Sequence, residues 1–175
     1  AAAYRELIAA LRDPASVDRP RLGNLLKLVL AAGGDIHLLA PLCALAEAAL
    51  RAGLPELCAE CERPLQRAEA NGVVLTAGWV QSIPRLLAGC AAAAGRSDEA
   101  ELAYERSIAA SRSGPAPVEL AIALFEIARL RAGRGADDDA ARARSDLGEA
   151  LAIARELELQ PLAREAQGLA ESLPL

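Results

Sequence analysis

The chain is 175 residues long, carries a formal net charge of -5, and is 53% apolar although only 2% aromatic. That length suits one domain, or one block of a repeat array, with a sizeable core, and an Ala- and Leu-dominated composition favours an all-helical chain. The mildly acidic balance argues against a dedicated nucleic-acid surface in this region, and no apolar run has the length and flanks of a membrane span or signal peptide.

Methionine is absent, so residue 1 is not read as a translational start, and the chain is expected to be a processed or excised fragment or to lack its termini. Four cysteines without an evident framework fit a reducing cytoplasm. Lys27 is the only lysine beside many arginines, which is read as base composition of the genome before mechanism.

In chain order, Tyr4, Leu7, Ile8 and Leu11 recur at helical spacing and predict a short amphipathic helix over residues 2–11, ended by Asp13-Pro14. A second helix is predicted near residues 21–32, on Leu22, Leu25, Leu26, Val29 and Leu30. Gly33-Gly34-Asp35 then breaks the chain; it lacks the Gly-Lys-Ser/Thr ending of a phosphate loop and reads as a helix stop followed by a cap.

A repeat begins there. Helices predicted over residues 36–52, 75–94 and 118–132 place Ala46, Ala88 and Ala128 seven positions before the turn glycines Gly53, Gly95 and Gly135. The small residues Cys58 and Ala100 follow their glycines by five positions, and Ala143 follows its glycine by eight, which implies an insertion around residues 136–139. Slim side chains at these places would let neighbouring helices approach closely. After Gly95, Ser97 can cap a helix, Asp98, Glu99 and Glu101 suit its positive end, and Ala100, Tyr104 and Ile108 share one face. Leu147 packs in the matching place of the last unit. Gly53-Leu-Pro55, Asn71-Gly72 and Gly114-Pro-Ala-Pro117 separate the units. The apolar link Val73-Val74-Leu75 either folds onto the core or meets a partner. A final helix over residues 161–172 would cover the open end.

The expected architecture is an all-α solenoid of about nine helices in antiparallel hairpins: capping helices over residues 1–35, three hairpins over 36–158, and a capping helix over 159–175. The string Gly95-x-x-x-Glu99-Ala100-x-x-x-Tyr104-x-x-Ser107-Ile108 resembles the second half of a tetratricopeptide repeat. The first half survives as Leu87-Ala88-x-x-Ala91, without its usual aromatics and with a longer period, which implies longer helices. From about residue 40 onward, through residues 86–107, 123–135 and the ending Ala150-Leu-Ala-Ile-Ala-Arg-Glu-Leu-Glu-Leu, the chain is similar to the C-terminal helical-repeat region of large bacterial regulators. In those proteins the region follows an ATPase module of the signal-transduction (STAND/AAA-like) type, joined to a nucleotide cyclase, a LuxR-type DNA-binding domain or a protein kinase. The resemblance implies a partner-sensing or self-inhibiting role and carries over no catalytic residue.

Several constellations have both a structural and a chemical reading. Cys58-x-x-Cys61 reads first as buried packing cysteines; zinc would need Cys43 with His37 or Cys90 as further ligands, and a reversible disulfide is the third reading. His37 reads as a capping or surface residue, since no nucleophile can be tied to it by spacing. Asp137-Asp138-Asp139 reads as N-terminal helix charge before a carboxylate metal site. Glu56, Glu60, Glu62, Glu99, Glu101 and Glu105 read as solvated helix surface rather than acid–base pairs. Arg129, Arg131 and Arg134 suit a helix C-terminus, or an anion or peptide carboxylate. Trp79 is a buried anchor or a partner contact.

No enzyme and no cofactor is expected. The expected function is a cytoplasmic interaction module of a bacterial signalling or transcription regulator, whose curved groove binds a peptide, a helix or another domain of its parent protein. A small-molecule sensor with a pocket between helices is the alternative.

Overall fold

Alanine- and leucine-rich stretches become helix throughout the computed structural model, which describes residues 1–32, 36–76, 81–114, 116–136 and 138–173. Among these residues there are nine α-helices and no strand: α1 (Ala2–Arg12), α2 (Arg19–Ala31), α3 (Leu39–Arg51), α4 (Pro55–Ala70), α5 (Ile83–Ala93), α6 (Ser97–Ser113), α7 (Pro117–Arg134), α8 (Asp139–Glu156) and α9 (Gln160–Ser172). Proline opens five of them, α2, α4, α5, α7 and α9. In the first turn its missing N–H costs nothing and its fixed φ already suits a helix. No helix among the described residues is long and apolar enough to cross a membrane.

Two compact units result, Ala1–Arg96 and Ser97–Leu175. In the first, α3 is the central helix and packs against α1, α2, α4 and α5. Residues 42–49 of α3 and 83–91 of α5 are buried without interruption. Such helices are apolar all round instead of striped, because neighbours cover every face. At Gly89 of α5 an added Cβ would lie 2.7 Å from Leu50 Cδ1 of α3. In the second unit, α7 packs between α6 and α8, and α9 covers α8 and touches α7.

The small repeat residues lie inside these packings. Ala46, Cys58 and Ala88 in the first unit and Ala100, Ala128 and Ala143 in the second are at most 1% exposed. Tyr104 and Leu147 are buried beside them in the second unit, while the turn residue Gly95 is exposed. A larger side chain at Ala128 has no room. Ala128→Leu is expected to cost about 1–3 kcal/mol through overpacking, read as a lower urea midpoint with an unchanged slope; an unchanged midpoint would mean that the crossing is loose.

Two helix starts differ from the sequence reading. The helix expected from residue 36 begins at Leu39, after a 3₁₀ turn at Ile36–Leu38. The helix expected from residue 75 begins at Ile83. Proline has no N–H to bond back to a preceding helical turn, and Pro84 sits in the first turn of α5, behind the Ser82 cap whose hydroxyl accepts from Arg85 N–H at 3.4 Å. Leu75 instead bridges to Ser82, Thr76 N–H donates to Gln81 O at 3.0 Å, and Ile83 N–H donates to Val74 O at 2.9 Å. The link turns inward, with Val73 packed on the first unit's core. Gly33-Gly34-Asp35, Trp79 and Asp137 lie outside the described residues.

Helices α5 and α8 end alike. At α5, Gly95 (φ 76°) donates to Ala92 O and Arg96 N–H closes back on Ala91 O, 3.0 and 2.9 Å. At α8 the same pair of bonds runs from Glu158 to Arg155 O and from Leu159 to Ala154 O, 3.2 and 2.8 Å, yet the left-handed position is held by Glu158 at φ 56°. A left-handed L-residue other than glycine is strained by about 1 kcal/mol. Glu158→Gly is therefore expected to stabilise the protein by about that amount, seen as a raised denaturation midpoint; a lowered midpoint would contradict the assigned backbone.

Candidate functional site

The densest polar cluster joins α6, α7 and α8, at the C-terminal end of α7. Glu101 stands at its centre: Arg131 donates from Nε and Nη2 to Glu101 Oε1 at 2.9 and 2.7 Å, Arg134 Nη2 lies 2.7 Å from Oε2, and Arg142 Nη1 lies 3.1 Å from Oε1. Arg131 also reaches Glu105 at 3.3 Å and hydrogen-bonds Asp146. Arg134 grips Asp139 with two bonds of 2.8 Å, and Asp139 also accepts from Ala136 N–H at 3.0 Å. That pair of contacts organises the turn where the sequence implied an insertion.

The electrostatics follow from these contacts. Hydrogen bonding from Arg134 holds the Asp139 carboxyl down to about 2. Burial alone would raise the Glu101 pKa, but the Arg131 and Arg134 hydrogen bonds outweigh it and leave the group below its ordinary value. At Asp146 burial wins over Arg131, and the pKa rises.

Glu101 is thus a correction to its reading as a solvated carboxylate, because α7 and α8 close over it. Glu105 stays half-exposed, at 47% of its side chain, and shares Arg131 and Arg142. Arg131 and Arg134 are placed together here and occupied by carboxylates. Five carboxylates, with Asp98 as the outermost, meet three guanidinium groups, so the cluster is net negative. It suits a cationic neighbour better than an anion. Arg129 lies apart, its guanidinium 5.6 Å from the Phe125 ring centroid.

A second ionic contact lies in the first unit. Glu47 is the only charge in the buried run of α3 and Arg85 the only one in that of α5, and they meet at 2.7 Å. Arg51 donates to the same carboxylate at 2.9 Å. Burial pushes the Glu47 pKa up, but attraction to Arg85 and Arg51 with their hydrogen bonds more than offsets it, leaving the group below its ordinary value. The sequence reading passed over this pair. A lone charge within an otherwise apolar helix was the signal available.

The four cysteines also belong to the first unit. Cys43, Cys58, Cys61 and Cys90 are all buried thiols in one core. Interaction with the Cys90 thiol lowers the Cys58 pKa against the effect of burial, and the same interaction, with burial, raises that of Cys90. Burial raises the Cys61 pKa, and neighbouring Cys58 and Cys43 add to it. His37 is exposed. Among the described residues no group of three or more His, Cys, Asp or Glu side chains is arranged to hold a metal ion. Elsewhere Glu62 pairs with Arg96 at 2.6 Å, and Glu56 and Glu60 are exposed.

Comparison with protein-family models, with curated proteins and with solved structures finds no match for this chain.

Proposed function

We propose that the chain is a non-catalytic interaction module, a stack of antiparallel helical hairpins that grips a protein or peptide segment within a larger bacterial regulator. The outer face of α6 carries this reading. Leu102 is 60% exposed and stands one helical turn from Asp98 on one side and from Glu105 on the other. An exposed apolar anchor in a net negative setting suits a partner segment with an apolar side chain flanked by Lys or Arg.

The slim buried residues at matched spacing support stacking of the hairpins. The likeness to tetratricopeptide repeats and to regulator C-terminal regions supports the regulatory setting. Partner binding would shift the balance between an inhibited and an active arrangement of the parent protein.

The test uses the complete reading frame that encodes this chain. Leu102→Arg is expected to change the output of the joined effector by roughly 5-fold or more, the lower end of ordinary allosteric coupling. Unchanged output after this substitution, and again after removal of residues 36–158, would contradict the proposal.

A further inference from the structure

Helix α1 carries, on its outer face, the counterpart of the Leu102 face. Ile8 and Leu11 are 38% and 45% exposed. Arg5 and Arg12 are exposed too, one helical turn to either side of Ile8. Among the described residues neither arginine side chain has a hydrogen bond or ion pair, whereas Glu6, on the buried side, takes Arg21 at 3.0 Å. Leu28 of α2 is more exposed, at 69%, but Asn24, Leu25, Ala31 and Ala32, one turn from it, carry no charge.

The two stripes match in spacing as well as in sign. Arg5 and Arg12 are seven residues apart, and Ile8 is three from the first; Asp98 and Glu105 are seven apart, and Leu102 is three from the second. Laid antiparallel, a single register sets Arg5 against Glu105, Ile8 against Leu102 and Arg12 against Asp98, over about 10 Å of helix. A parallel arrangement that kept both charge pairs would put Ile8 opposite Glu101, which is largely covered. Asp98 is nearly fully exposed and has Arg134 only at 3.5 Å. Glu105 shares Arg131 and Arg142 at 3.3 Å and keeps about half its surface open. Glu99 and Arg106 border the α6 stripe. Asp13, just past Arg12, already accepts from Ala15 N–H at 3.0 Å.

We propose that the partner of the Leu102 face is a second copy of this chain, whose α1 lies antiparallel across α6. This rests on the reading of Leu102 as a partner anchor. The contact joins two different surfaces, so it is heterologous, and copies add until the arrangement closes on itself. Exposed ion pairs are individually weak and are screened by salt. The association is therefore concentration-dependent and salt-sensitive.

Sedimentation of the full chain, over a series reaching millimolar concentration, should show self-association that weakens in high salt. Arg12→Glu and Asp98→Arg should each raise the dissociation constant roughly 10-fold, because each sets like charges opposite one another. Both substitutions in one chain should recover most of the wild-type affinity. Arg5→Glu with Asp98→Arg leaves both charge pairs repulsive and should recover none. Circular dichroism checks folding, and Arg5→Glu with Arg12→Glu keeps the test open if Asp98→Arg folds poorly, since neither arginine is engaged within the chain. A monomer throughout the series, association indifferent to these substitutions, or rescue by the Arg5→Glu combination would overturn the proposal. Leu102→Arg in the complete reading frame separates the two readings: altered effector output from a chain that stays monomeric refutes the second copy and leaves the Leu102 anchor standing.

Discussion

Arg85→Ala is expected to destabilise the first unit by about 3–5 kcal/mol, the usual cost of leaving one member of a buried ion pair behind. The arginine is 1% exposed and the carboxylate it faces 4%, so solvent cannot replace the lost partner. Arg51 still reaches Glu47, which places the effect toward the lower end of that range. Urea denaturation followed by circular dichroism measures it. Replacing both members by apolar residues, Glu47→Leu with Arg85→Leu, should recover much of the loss, since no buried charge then remains. A single substitution costing less than about 1 kcal/mol, the scale of an exposed pair, would mean that water enters between α3 and α5.

The same pair sets a pH dependence. In the folded wild type the Glu47 pKa lies below 4.5. Its contribution to stability is therefore fully present above the unfolded value and is lost as pH falls through the folded one. In Arg85→Ala the main attraction is gone while burial still opposes the charge. The gap between wild type and variant should narrow on acidification, because protonating Glu47 removes the uncompensated charge.

Arg131→Ala should produce the largest loss in the second unit, about 3 kcal/mol. One guanidinium there contacts Glu101, Glu105 and Asp146, from two helices on either side of α7. Without it the carboxylates face one another, and only Arg134 and Arg142 still reach Glu101. Arg131→Lys should restore only part of the loss, because an ammonium is a point charge and cannot reproduce the planar fork. Chemical denaturation reads both variants; a lysine variant equal to wild type would show that charge alone suffices.

Much of the helical framework was legible. The spacing of Ala46, Ala88 and Ala128 from their turn glycines marked positions that are buried, and proline and Asp or Ser near helix starts marked several boundaries. The start of α5 was misread: the helix was run back to residue 75, while Pro84 and the Leu75–Ser82 bridge decide otherwise. The left-handed end of α8 carries no glycine to announce it.

Side-chain partners were harder to read, for a physical reason. Glu99 and Glu101 both read as surface charges near the start of α6, and only the packing of α7 shows that Glu101 is covered. Cys58 has a near neighbour in sequence, Cys61, yet the core they share also takes Cys43 and Cys90 from other helices. Both outcomes depend on how helices pack, which local periodicity does not encode. Glu47 and Arg85 carried a signal, opposite lone charges in two apolar helices, but the sequence reading passed over it.

Amide hydrogen exchange on the full chain tests most directly that close helix crossings at slim side chains hold each unit together. The slowest amides should be those of Ala46, Cys58 and Ala88 in one unit and Ala100, Ala128 and Ala143 in the other, opening only with the unit that contains them. Exchange at these positions as fast as at the exposed Arg12 end of α1 would contradict the packing on which every functional inference rests.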